Sequence, residues 1–442
     1  MKTRFLILAV MLSSIFCTVS VSAQSDAPQG FESLFNGKDL TGWFAMKTAD
    51  PRKFASLSQE EQDATIAQLE KETSNSWRVE DGMIINDGKG PYLTTKRNFR
   101  DFELMIDFKL EDGGDSGVYL KATPQVQVWD TTHEPSFKHG SEKGSGGLWN
   151  NSKGSPAKFP LVHADNPVGQ WNTLRIIQVG ARTSIWLNEK KIVDHQIMEN
   201  YWARKLPIIA SGPIQLQTHG GKMFWRNVFV RDIEPKEANE MLASQHTDGY
   251  ESVFNGTDFS GWSGPTDGYE INDGVLRCKP KSGGTIFTEK EYSDFSVRFQ
   301  FKLPPGGNNG LAIRYPGSGD TAYVGMCELQ VLDNTAEKYA GLDERQYHGS
   351  AYGMAPAARG YLRATGEWNS QQVTVVGSTI KVELNGNLIL NTDLAEIEKY
   401  LDAKPHPGKV RTSGHFGFAG HNDPVEFRNV SIKDLSTKTA DE

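Results

Sequence analysis

Cysteine is scarce: the 442-residue chain has three, and only Cys278 and Cys327 lie beyond the first 23 residues. Both fall in strand-like runs of the second half and neither has metal-ligand spacing, so they read as two buried thiols, with a bridge as the alternative. No block of Lys and Arg occurs and the formal net charge is -8, which excludes the clustered cations that hold nucleic acid. Past the leader, no segment reaches the ~20 apolar residues needed to span a bilayer. No Rossmann glycine fingerprint stands in a βαβ setting, so no nicotinamide site is expected. What is present is the composition of a globular protein, 37% hydrophobic and 23% charged, with length for two or three domains that each bury a core.

The first 23 residues read as a secretory signal peptide. Lys2 and Arg4 form a basic region, residues 5–16 are an apolar run, and Val21, Ser22 and Ala23 make a small-residue cleavage site. An uncleaved anchor is the alternative. The expected location is secreted or periplasmic.

The rest of the chain repeats itself. FESLFNGKDLTGW at 31–43 returns as YESVFNGTDFSGW at 250–262. VEDGMI at 79–84 matches INDGVL at 271–276, and FRDF at 99–102 matches YSDF at 292–295. QWN at 170–172 matches EWN at 367–369, and WRNV at 225–228 matches FRNV at 427–430. Two domains follow, 31–234 and 250–436, joined by a polar linker at 235–249 with weak helical character. Residues 48–72 have no counterpart in the second copy and read as a charged surface helix with Leu57, Ile66 and Leu69 as its apolar anchors.

Period assigns the elements. Phe102, Leu104, Ile106, Phe108 and Leu110 fall on one face, as do Phe295, Val297, Phe299, Phe301 and Leu303. Such alternation is a half-buried antiparallel strand. Residues 380–390, with Asn385-Gly386 at the centre, read as a type I′ hairpin. Short strands and turn residues recur along both halves, so the expected class is all-β, two tandem jelly-roll sandwiches with a short helical insertion in the first.

Eight motifs in order, and again in the second half, carry a family resemblance: LFNGKDLTGW, VEDGMI, FRDFELMIDFKL, DSGVYLK, PQVQVWD, GQWN, LQTHG and WRNVFVRDI. Together they resemble the 3-keto-disaccharide hydrolase family. The resemblance implies a concanavalin A-like lectin and glucanase fold whose concave sheet carries a sugar site, and activity on glycosides oxidised to a ketone at C3. That ketone makes the C2 proton acidic. A base removes it, the enolate expels the C1 oxygen, and water adds back. Such a site needs a base near C2, a donor at the ketone oxygen and an acid at the leaving oxygen.

Candidate groups cluster at matched places. In the second copy Glu328 and Gln330 share a strand face, with Asp333 at the strand end where a bulge would turn it inward. This spacing loosely resembles the paired carboxylates of glucanases, which retaining hydrolysis would use. In the first copy the strand reads Gln125, Gln127, Trp129, Asp130. Gln125 replaces Glu328, and Gln170 replaces Glu367. The first copy keeps Gln217 and His219 and adds His163; the second has His421, with Ala419 in place of Gln217. The catalytic candidates are His163, His219, Asp130, Glu328, Asp333, Glu367 and His421. Arg226 and Arg428 either polarise the ketone or form structural ion pairs. Trp43, Trp171, Trp262 and Trp368 read as core, whereas Trp129, Trp149 and Tyr352 read as sugar platforms. Asp112, Asp115, Asn308 and Asn309 sit in glycine-rich loops that read as turns, with calcium ligation the alternative. No cofactor is required, a divalent metal stays open, and the partner is a carbohydrate. Three functions compete: cleavage of 3-keto-glycosides, carbohydrate binding without turnover, and a conventional retaining glucanase.

Overall fold

The computed structural model describes residues 26–436; the signal-peptide expectation lies outside them. The chain forms two β-sandwiches, each pairing an eight-stranded sheet with a five-stranded one. In the first, the large sheet runs Lys190–Ile197, Arg182–Leu187, Asn172–Val179, Phe102–Leu110, Met223–Asp232, Met83–Asn86, Trp77–Glu80, with Glu32–Ser33 beside Met223–Asp232. The small sheet runs Trp43–Met46, Tyr92–Thr95, Gln215–Leu216, Asp115–Leu120, Thr123–Trp129. The second sandwich repeats this order, its small sheet being Trp262–Ser263, Gly283–Tyr292, Gly414–His421, Asn308–Tyr315 and Cys327–Leu332. All pairings are antiparallel.

The alternation read in the sequence is the cause of the layering. Phe102, Leu104, Ile106 and Phe108 are fully buried between the sheets. The intervening polar residues face outward and are satisfied there: Glu103 binds Arg175 and Arg231, and Asp107 accepts from Thr173, Arg226 and Asn227. Phe295, Val297, Phe299 and Phe301 build the second core in the same way. The hairpin turn is of type I′, with Asn385 at φ 49 and Gly386 at φ 77.

The insertion forms two helices, Pro51–Ala55 and Gln59–Thr73. Ser58 and Glu61 close a capping box at the start of the longer one. Leu69 is buried beneath it, while Leu57 and Ile66 are half-buried. The helix packs on Trp43–Met46 and so covers one edge of the first small sheet.

The stretch read as a linker contains a regular helix, Pro235–Ser244. Its Asn239 is buried and accepts from Arg363 Nη1 at 2.6 Å. Two hairpin turns also meet across the junction. Ala181 N–H donates to Gly386 O at 3.1 Å, and Arg182 forks onto Glu383. A Cβ on Gly180, at φ +59, would lie 2.2 Å from Asn385 O, so this contact requires glycine.

Cys278 and Cys327 are free and buried. Burial pushes the Cys278 thiol up to about 11 and the Cys327 thiol higher still, so both stay protonated. Among the described residues, no helix is long and apolar enough to cross a membrane.

Candidate functional site

A period of two sorts each small sheet's edge strand. In Thr123–Trp129, Val126 and Val128 enter the core, so Gln125, Gln127 and Trp129 point to the outer face. In Cys327–Leu332, Leu329 and Val331 enter the core and Glu328 and Gln330 point out. Over each outer face lies a cavity, about 210 Å³ in the first sandwich and about 320 Å³ in the second.

The first cleft holds Gln125, Gln127, Trp129, Trp149, Gln217 and His219 together. His219 Nδ1 lies 3.0 Å from Asp115 Oδ2, and Asp115 Oδ1 accepts from Gln127 Nε2 at 2.7 Å. Gln125 in turn donates to Gln127 Oε1. The hydrogen bond that Asp115 accepts from His219 holds the imidazole above its ordinary pKa. Because Nδ1 is engaged, Nε2 is the nitrogen left to meet a ligand. Burial, with Tyr92 alongside, raises the Tyr119 phenol, which therefore keeps its proton. Gln217 Oε1 and Asn150 Oδ1 are buried acceptors with no donor among the described residues. Both line the cleft, where ligand hydroxyls would satisfy them. Trp129 and Trp149 stand edge to face at 6.3 Å and form the aromatic wall.

The second cleft brings Glu328, Gln330, Tyr352 and His421 together. Here His421 Nε2 lies 3.2 Å from Glu328 Oε1, and that hydrogen bond raises the imidazole pKa. Gln330 Nε2 donates to Asn308 Oδ1 at 2.6 Å. The Gly-Gly-x-x-Gly frame aligns Asp115 with Asn308, and the edge strands align Gln125 with Glu328. Acid and amide have therefore changed places between the copies. Each histidine keeps one carboxylate, supplied by a different strand and bound through a different ring nitrogen. A glycine on the neighbouring strand makes room in both. A Cβ on Gly117 would lie 3.0 Å from Gln125 Cδ, and one on Gly310 would lie 2.2 Å from Glu328 Oε1.

Six expected site residues stand elsewhere. Asp130 and Asp333 do not turn into the clefts. Each follows its strand and staples a loop, accepting from Gly113 N and Thr132 in one copy and from Gly306 N and Thr335 in the other. Glu328 and Asp333 consequently do not face one another as a two-carboxylate pair. His163 sits on an exposed loop, 3.9 Å from Asp165. Glu367 is exposed and accepts from Ala364 N. Arg226 and Arg428 lie on the large sheets. Arg226 pairs with Asp107 and covers the Trp171 ring at 4.0 Å, and Arg428 donates to Gln300 and covers Trp368 at 3.9 Å. Trp171 and Trp368 are thus only partly buried, whereas Trp43 and Trp262 are core.

Asp115 is the site residue that the sequence reading placed in a turn. The alternation Asp115, Gly117, Tyr119 along DSGVYL carried the signal, since it sets all three on the outer face. Among the described residues no three His, Cys, Asp or Glu side chains gather as a metal-ligand set. Asn308 and Asn309, also read as turn residues, instead begin the strand Asn308–Tyr315, where Asn309 Oδ1 accepts from its neighbour Gly310 N.

The model of the 3-keto-alpha-glucoside-1,2-lyase-like domain matches residues 30–231 and again 249–433. The chain belongs to that family. A 3-keto-disaccharide hydrolase of Bacteroides thetaiotaomicron is 26% identical over 250 residues, covering 47% of this chain and 86% of that protein. A crystal structure from Parabacteroides distasonis, provisionally named a glycosyl hydrolase, is 25% identical with a TM-score of 0.39, covering 42% of this chain and 99% of that one. The carbohydrate-binding module CBM66 of Bacillus subtilis is 16% identical with a TM-score of 0.25, covering 39% and 96%. In the terms of the lyase-like family, this chain is a carbohydrate-active protein carrying the domain twice.

Proposed function

We propose that the first cleft cleaves 3-keto-glycosides by elimination, and that the chain is exported to do so. The observation that carries the reading is the His219–Asp115 pair, set in an aromatic-walled cavity with two unsatisfied acceptors. His219 Nε2 takes the C2 proton, and the C2–H electrons pass into the ketone as an enolate. Collapse of the enolate restores the C3 ketone, forms C1=C2 and breaks the C1–O bond, and the leaving oxygen takes up a proton. Water then adds across C1=C2, so the net reaction is hydrolysis. Tyr119 supplies a neutral O–H donor for the enolate oxygen, and Trp129 and Trp149 offer the ring a stacking wall. The family match and the name of the Bacteroides relative support the substrate class. The basic, apolar and small-residue leader supports export.

The test is to incubate the purified chain with a glucoside and with its 3-keto form and to follow aglycone release. Release from the keto form alone, abolished in His219→Ala, supports the proposal. Release from the unoxidised glucoside would replace it with ordinary glycoside hydrolysis. Tight binding without release would replace it with a binding function.

A further inference from the structure

A cavity of about 380 Å³ opens where the two repeats meet, away from both clefts. Arg182 and His195 reach it from the first sandwich, His246 from the connecting segment, Tyr250 from the start of the second repeat, and Arg298 and Glu383 from the second large sheet. Its charges do not balance. Glu383 is committed to Arg182, through contacts of 2.5 Å and 3.0 Å. Among the described residues Arg298 has neutral partners alone: Nε donates to Gln372 Oε1 at 2.8 Å, Nη1 donates to Gln245 O at 2.6 Å and to His246 O at 3.4 Å, and the Tyr250 ring lies 4.2 Å away. Its guanidinium is thereby fixed in place while its charge stays uncompensated, the preorganised state of an oxyanion receptor.

Two further observations agree. His195 and His246 face each other at 5.8 Å, and both hold left-handed backbone, at φ 50 and φ 48. Strain in non-glycine residues persists where the surroundings enforce it, and it concentrates at ligand sites. Burial above all, with Arg182, His246 and Arg298 adding to it, pushes the His195 imidazole down to about 3, so this ring stays neutral beside the two arginines.

We propose that this inter-repeat cavity binds a small ligand bearing one carboxylate or phosphate, with that oxyanion seated on Arg298. Both repeats wall the cavity, so such a ligand would bridge them. The proposal does not depend on the reaction assigned to the first cleft.

Titration calorimetry and thermal melts of the full chain with gluconate, glucose 6-phosphate and neutral glucose test it. One equivalent of gluconate or of glucose 6-phosphate is expected to bind and raise the Tm, and whichever binds more tightly identifies the oxyanion. Arg298→Met is expected to weaken that binding at least tenfold. Ser431 is the direct cross-strand partner of Arg298 and also lines the cavity. Ser431→Glu would therefore supply the missing carboxylate internally. It is expected to abolish anion binding while raising the Tm of the free protein, an outcome that misfolding cannot mimic. Absence of anion binding at millimolar concentration, binding unchanged in both variants, or glucose binding as tightly as the anions would overturn the proposal.

Discussion

Replacing Asp115 by Asn tests whether the carboxylate beside His219 sets the basicity of the catalytic imidazole. The Nδ1–Oδ2 contact is 3.0 Å and the imidazole pKa is raised by it. A hydrogen bond to a charged group contributes about 1.5–3 kcal/mol. The His219 side chain is 60% exposed, so water screens the pair and the lower figure applies, about a tenfold loss in kcat. The pH profile carries the sharper signature. A base works when neutral, so the rate rises with pH through the pKa of His219. Without the carboxylate that pKa falls, and the acidic limb of the kcat profile moves to lower pH while the plateau drops. Aglycone release from a 3-keto-glucoside, followed across the limb, measures both. The double variant Asp115→Asn/Gln125→Glu rebuilds the arrangement of the second cleft, where Glu328 serves His421. It is expected to raise the His219 pKa again, read by NMR titration of the ring protons, without restoring release, because the new carboxylate takes Nε2, the nitrogen that serves as base. An acidic limb unmoved in Asp115→Asn would refute the reasoning, since the carboxylate would then have no hold on the base.

Glu328→Gln should leave release by the first cleft intact while lowering the His421 pKa, which NMR titration of the ring protons reads. Gly180→Ala puts a Cβ against Asn385 O at a left-handed φ, so it should destabilise the junction by about 1–3 kcal/mol in chemical denaturation, more than an exposed Gly→Ala elsewhere. Lys121 is fully buried, donates to Gly180 O at 2.8 Å, and is lowered by burial from 10.5 to about 8. The unfolded chain therefore binds more protons between pH 8 and 10.5, and stability from this group rises with pH across that window, being least below pH 8. The stability of the wild type relative to Lys121→Met should climb by up to about 3 kcal/mol over it. Parallel pH profiles of the two proteins would count against this reading of the buried lysine.

The expected site residues that stand elsewhere lie at strand ends, on loops or on the large sheets. Asp130 and Asp333 sit one residue beyond a strand, where alternation no longer governs direction, and both turn back onto a glycine loop. Glu367, matched to Gln170 through the EWN motif, is exposed just before its strand, and His163 lies on an exposed loop near Asp165. The arginines of the WRN and FRN motifs lie on the large sheet, one layer away from the sugar face. Gln125, Gln127 and Gln330 are legible because they lie within strands, beside Val126, Val128, Leu329 and Val331, which had to be buried.

Alternation along single strands, and the recurrence of whole motifs, determined two sandwiches and the outward face of each edge strand. Those are properties of one segment at a time, fixed by the pleat and by the burial of apolar side chains. Which carboxylate meets each histidine was decided only by tertiary structure. Asp115 and His219 are distant in the chain and meet because an antiparallel bridge pairs Asp115 with Gly220, the residue after His219, and register is a relation between segments that neither one contains. The exchange of acid and amide between the copies looked like loss along the chain; across the sheet it is a conserved charge beside a conserved ring.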